Sequence, residues 1–178
     1  DYDKAVAACK KFNEEFSAEL EYWASPWITP GKVLDLLDYK LYSWPGHRLG
    51  ENVASFQFME SEYMKAEEYD DLILDPSDFF MRKFLPRTMG VLEPLQMFRP
   101  ATDLVEIVNL VQLMPLASPE VQTMLQKLID IGQEYQKMMK AMAAAGPGGA
   151  ANGYPVVFGA FCKAPFDTIG DTLRGTAP

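Results

Sequence analysis

Over residues 1–23, Ala5, Cys9, Phe12, Phe16, Leu20 and Trp23 recur at spacings of three and four, with lysines and glutamates between them. That period matches one face of an α-helix and predicts an amphipathic helix there. Ser25-Pro26 and Pro30-Gly31 interrupt the pattern, because proline cannot continue a helix and glycine tolerates a turn. A short helix over 32–37 follows, then a strand-like segment over 38–44 that ends in the turn Trp44-Pro45-Gly46-His47. Residues 50–64 read as loop with a helical end. A second amphipathic region spans 66–85 in two pieces, with Asp75 as cap and Pro76 in the first turn of the second piece. Pro86, Gly90, Pro94 and Pro100 break the next stretch, and the strongly apolar run 104–114 fits a buried helix or a buried strand equally well.

The clearest helix spans 118–145. Ser118 caps it, Pro119 opens it, and Glu120 sits near its positive end. Val121, Met124, Leu125, Leu128, Gly132, Tyr135, Met138, Met139 and Met142 form its apolar stripe, a spacing that favours core packing for the methionines. Residues 146–153, rich in glycine, read as a flexible loop delivering the chain into a β-branched and aromatic run at 154–161. That run shows no polar alternation, as in a parallel strand buried on both faces, and a helix over 168–174 follows it. In α/β folds the turn leaving such a strand is where ligands sit.

The 178 residues read as a single unit, and 48% hydrophobic content excludes a disordered chain. A net charge of -9 makes nucleic acid and anionic membrane surfaces poor partners. Cys9 and Cys162 read as packing residues of a reducing, cytoplasmic compartment, and no apolar stretch reaches the ~20 residues of a membrane span. The chain starts without Met inside a helical pattern and stops just after a strand and helix, which reads as a fragment.

Few side chains carry a chemical signal. His47, the single histidine, follows a Pro-Gly turn and suits proton transfer at a strand exit. The acidic run from Glu60 to Asp78 lacks the spacing of a calcium loop and reads as a solvated face. Asp167 is placed to cap the following helix and to face a ligand, and Asp171 and Arg174 share its helical face. No phosphate-binding loop, serine elbow or cysteine nucleophile with a nearby histidine is present, and one histidine supplies no zinc cluster by itself.

Gly159-Ala160-Phe161-Cys162-Lys163-Ala164-Pro165-Phe166, with Gly175 after it, resembles a signature of the uroporphyrinogen decarboxylase superfamily. Trp44-Pro45-Gly46-His47, Glu60 to Met64, Glu68-Tyr69-Asp70, Asp75-Pro76-Ser77-Asp78-Phe79, Leu85-Pro86-Arg87 and Leu173-Arg174-Gly175 are similar to its less characterised branch. The resemblance implies an α/β chain forming the helix-rich internal portion of a (β/α)8 TIM barrel, incomplete here because such a barrel takes ~250 residues. It also implies a tetrapyrrole decarboxylase, a carbon-carbon lyase, or a corrinoid-linked methyltransferase. The decarboxylases' arginine-rich motif is not in this chain, their aspartate after the second strand falls near Ser43 and Trp44, and their functional tyrosine falls on Asp171. The methyltransferase-like branch is therefore the closer match, with no cofactor held within this chain and zinc ligands late in the complete barrel.

On that reading Trp44, His47, Phe161, Phe166 and Asp167 line a pocket for a small-molecule, tetrapyrrole or corrinoid substrate. A corrinoid protein is the implied partner, the piece alone lacks a full active site, and it self-associates. The competing reading is a non-enzymatic helical interaction module presenting the methionine-rich face of the 118–145 helix.

Overall fold

The computed structural model describes residues 1–26, 31–53, 56–155 and 173–174. Most of these are helical, with one small three-stranded sheet, a mixed α and β architecture. They divide into two compact units. One comprises Asp1–Val33 and residues 131–155. The other comprises Leu34–Asp130 with residues 173–174.

In the first unit, α1 (Tyr2–Leu20) begins at Asp1, whose side chain accepts from the Lys4 amide at 3.2 Å. It ends at Glu21, which takes the left-handed conformation with φ 50°. The apolar stripe does not fully match the buried one. Phe16 and Leu20 are exposed, whereas Val6, Asn13 and Ser17 are buried. Asn13 is inside because its amide is used twice: it donates to the Ala24 carbonyl at 3.0 Å and accepts from the Ala24 amide at 2.7 Å. Those bonds tie the returning chain to the helix and remove the cost of burying the amide.

The longest helix among the described residues, α6, spans Pro119–Ala144. Its Ser118 cap is realised, with Oγ accepting from the Val121 amide at 3.2 Å. Its buried residues within the first unit are Ile131, Glu134 and Met138, while Tyr135 and Met139 are exposed. The buried stripe is therefore rotated from the one drawn by apolar residues alone. A carboxylate can sit on it because Lys32 Nζ and Lys137 Nζ reach Glu134 Oε1 at 2.9 and 2.6 Å. Hydrogen bonds from Lys137 and then Lys32 hold the Glu134 carboxyl down at about 2. The glycine-rich segment is closed locally by Asn152, whose Nδ2 donates to the Pro147 and Gly148 carbonyls.

The second unit begins within α2 (Gly31–Leu37), at Leu34, and continues through β1 (Tyr42–Pro45), β2 (Arg48–Leu49) and β3 (Gln57–Phe58), in sheet order β2-β1-β3. β3 runs antiparallel to β1, with Tyr42 opposite Phe58 and Ser43 opposite Gln57. β2 lies parallel to β1 although only two residues separate them, with Trp44 opposite Arg48. A parallel neighbour normally needs a long crossover. Here the chain instead winds tightly on itself, with Gly46 at φ 80° and Arg48 at φ 64°.

The helical pieces follow: α3 (Tyr69–Leu74), α4 (Pro76–Phe79) and, after a π turn over Phe80–Phe84, α5 (Leu85–Thr88). Asp75 caps α4 by accepting from the Asp78 amide at 3.0 Å, and Pro76 occupies the first turn. Pro86 has no N–H to return to Arg82, and the widened turn before it is how the rod absorbs that proline without breaking. Met64, Phe79, Phe84, Leu41, Tyr63 and Leu173 form one core cluster, and Val91, Val121 and Met124 form a second.

The run expected to be buried around 104–114 becomes a 3-10 helix over Ile107–Ala117, and most of its apolar side chains face outward. Ile107 is 86% exposed and Met114 69%. Its two polar side chains, Asn109 and Gln112, lie three apart on one face of this helix, and that face is the half-buried one, which leaves the apolar residues beside them turned outward. No helix among the described residues is long and apolar enough to cross a membrane. Of the strand expected over 154–161, Tyr154 and Pro155 are described and are not in a strand; the remainder lies outside the described residues.

Candidate functional site

The turn between β1 and β2 places two of the expected site residues against each other. The Trp44 amide donates to the His47 carbonyl at 3.1 Å, and the His47 amide donates back to the Trp44 carbonyl at 2.8 Å. This reciprocal pair closes the loop, and Gly46 supplies the positive φ that a side chain would resist. The two rings stack with centroids 4.1 Å apart and an interplanar angle of 6°.

On its other side the imidazole meets α2, where His47 Nδ1 lies 3.4 Å from Asp35 Oδ1. A carboxylate at Nδ1 favours the tautomer with its proton on that nitrogen, leaving Nε2 as the acceptor. Among the described residues no group is paired with Nε2, and the His47 side chain is 38% exposed. The arrangement is a half-exposed imidazole with one face covered by indole and one edge beside a carboxylate. Asp35 carries no motif and stands twelve residues before His47, so only its place on the short 32–37 helix offered any signal.

Phe161, Phe166 and Asp167 lie outside the described residues, as do Cys162 and Asp171. Arg174 is described. Its Nη1 donates to the Met64 carbonyl at 2.7 Å and pairs with Glu62. Cys9 is a free thiol. Among the described residues no three His, Cys, Asp or Glu side chains converge as metal ligands.

The acidic run read as a solvated face divides. Glu68 is buried and receives both Arg87 Nη groups at 2.7 Å, the Lys65 amide at 2.8 Å and Lys83 Nζ at 3.4 Å. The Arg87 hydrogen bonds are the main reason its carboxyl is held down at about 2. Asp78 is held below its ordinary range by a forked pair with Arg82, four residues on. The i, i+4 spacing of Asp78 and Arg82 was readable in the sequence. The pairing of Glu68 with Arg87, nineteen residues away, was not.

No protein-family model, curated protein or solved structure matches the chain.

Proposed function

We propose that this chain is part of a uroporphyrinogen-decarboxylase-like enzyme of the corrinoid- and methyltransferase-like branch, and that the 44–47 turn forms one wall of its substrate pocket. The observation that carries this reading is the Trp44, His47 and Asp35 assembly. A stacked indole and imidazole with a carboxylate on Nδ1 give a flat apolar surface beside a fixed proton acceptor. Those are the parts a pocket for a conjugated or ring substrate requires. On this reading Phe161, Phe166 and Asp167 are further substrate contacts of the (β/α)8 barrel that the resemblance implies.

Within that pocket Trp44 packs against substrate and excludes water at one side. His47 accepts or returns a proton at Nε2, and Asp35 keeps the imidazole oriented. A corrinoid protein is the expected partner, and turnover is assayed with the complete barrel. His47→Ala combined with Asp167→Ala is expected to lower turnover by roughly 10²-fold or more, the usual worth of a positioned proton-transfer group. Turnover within twofold of the unsubstituted enzyme would remove the pocket assignment.

A second reading, a helical interaction module, draws on the outward-facing apolar side chains of Ile107–Ala117. A barrel portion with that surface binds an apolar dye and self-associates in sedimentation, whereas a self-sufficient module stays monomeric and dye-silent.

A further inference from the structure

The Ile107–Ala117 helix of the second unit is turned inside out relative to solvent. A 3-10 helix has three residues per turn, so its side chains fall into three rows along the axis. Asn109, Gln112 and Pro115 form the half-buried row, and the Asn109 amide donates to the Asp103 carbonyl. Ile107, Leu110, Leu113 and Leu116 form the second row and Val108, Val111, Met114 and Ala117 the third, all of them exposed. With Val105 beside them, the large apolar residues of these two rows keep between 36% and 86% of their surface open to solvent. That amounts to roughly 900 Å² of apolar surface per copy, against the ~800 Å² per partner of a standard interface.

The sequence around the two rows narrows what covers them. From Leu104 to Pro119 the only charge is that of Glu106, and no Lys or Arg occurs between Arg99 and Lys127. The face therefore offers a lipid headgroup no cation, and it gives a different protein almost no charge pattern to read. Two uncharged rows need only fit themselves, which is what a two-fold axis demands. The net charge of -9 is carried almost wholly elsewhere on the chain, where salt screens it. A groove of about 360 Å³, walled by Leu95, Phe98, Leu104 and Leu113, runs beside the same helix. A ridge and a recess on one face are the two halves of a self-complementary contact.

We propose that a second copy of this chain covers this face, in a two-fold dimer whose axis passes beside Val111. The two helices run antiparallel across that axis. Val111 meets its own counterpart, and Val108 of each copy lies against Met114 of the other, because both stand three residues from the axis. The dimer closes at two copies, whereas the self-association expected of an incomplete barrel has no such limit. It stands apart from the pocket reading, since turnover tests one and assembly the other.

Sedimentation equilibrium of the full chain tests it. The data should fit one monomer-dimer equilibrium ending at twice the chain's 20.0 kDa. The Kd should be about 1 μM or below, the range open to an interface of this size. Val111→Glu and Val111→Lys each set two like charges against each other at the axis and should weaken the dimer at least ~100-fold. Mixed in equal amounts, the two variants should associate at least ~10-fold more tightly than either alone, because the charges across the axis are then opposite. Val111 is exposed, so both variants should keep the far-UV circular dichroism of the unsubstituted chain. A monomer at every concentration, association that continues past two copies, a dimer indifferent to Val111→Glu, or no gain on mixing would each overturn the proposal. So would binding to neutral phosphatidylcholine vesicles that Val111→Glu abolishes, which would give the face to lipid.

Discussion

The Glu68 and Arg87 pair offers the sharpest test of what holds the second unit together. Only 10% of the Glu68 side chain is exposed, so solvent screens it little, and its carboxyl stands at about 2 against an ordinary 4.5. At about 1.4 kcal/mol for each tenfold change in proton affinity, that difference corresponds to about 3 kcal/mol favouring the folded state when Glu68 is ionised. The sign follows from the depressed value. The contribution is complete above the unfolded carboxyl's 4.5 and is lost as pH falls through that value towards 2. By pH 3 about 2 kcal/mol of it should be gone.

Glu68→Gln keeps the shape and one acceptor for the Lys65 amide but leaves Arg87 without its counter-charge. Arg87 is 30% exposed and still donates to the Tyr63 carbonyl, so the loss at pH 7 should be about 2–3 kcal/mol, below the 3–5 of a fully buried pair. Urea unfolding followed by far-UV circular dichroism at pH 7 and pH 3 measures both quantities. The variant should differ strongly from the unsubstituted protein at pH 7 and by only about 1 kcal/mol at pH 3. An equal loss at both pH values would mean that packing, not charge, carries the effect. No loss at pH 7 would mean that the pair does not contribute in solution.

Three further outcomes follow from the same geometry. Met138→Ala should cost about 2–4 kcal/mol in urea unfolding, whereas Tyr135→Ala, on the exposed side of α6, should cost under about 1, and the reverse order would return the stripe to its sequence-drawn position. Ser118→Ala should lower stability by about 1 kcal/mol through loss of the cap on Val121, measured by thermal melting with Ser118→Asp as the retaining control. Gly46→Ala meets no atom within 4 Å, so its cost, about 1–2 kcal/mol, should be conformational alone and partly recovered by Gly46→Asn; full stability in the alanine variant would contradict the left-handed turn.

How far the sequence reveals this molecule depends on the range over which each signal acts. Asp75 with Pro76, Ser118 with Pro119, and Trp44-Pro45-Gly46-His47 were legible because a cap or a tight turn is decided by residues within three or four positions. The burial of Asn13 and Glu134 was not, because both are polar and are accepted inside only through partners at Ala24, Lys32 and Lys137. Hydropathy alone therefore rotated the buried face of α6. The Ile107–Ala117 run shows the converse. An apolar segment was expected inside, but Asn109 and Gln112, at the three-residue spacing of the 3-10 helix, take its half-buried face, and the apolar residues beside them are left outward.

The same contrast separates the 44–47 turn from the groove beside Ile107–Ala117. The 44–47 turn could be proposed from sequence because its chemistry, an imidazole after a Pro-Gly turn, is local, while the Asp35 contact that orients the imidazole is tertiary. The groove had no sequence signature at all. Its walls come from Leu95 and Phe98 on one side and Leu104 and Leu113 on the other, brought together by three successive 3-10 segments between Gly90 and Ala117. A 3-10 helix carries poorer hydrogen bonds than an α-helix and rarely persists beyond a few residues. An eleven-residue run of it is thus the part of the second unit most easily opened. In the monomer, amide exchange across 107–117 should be faster than across α6, and equal protection of the two would show that the run is held as firmly as the α-helix.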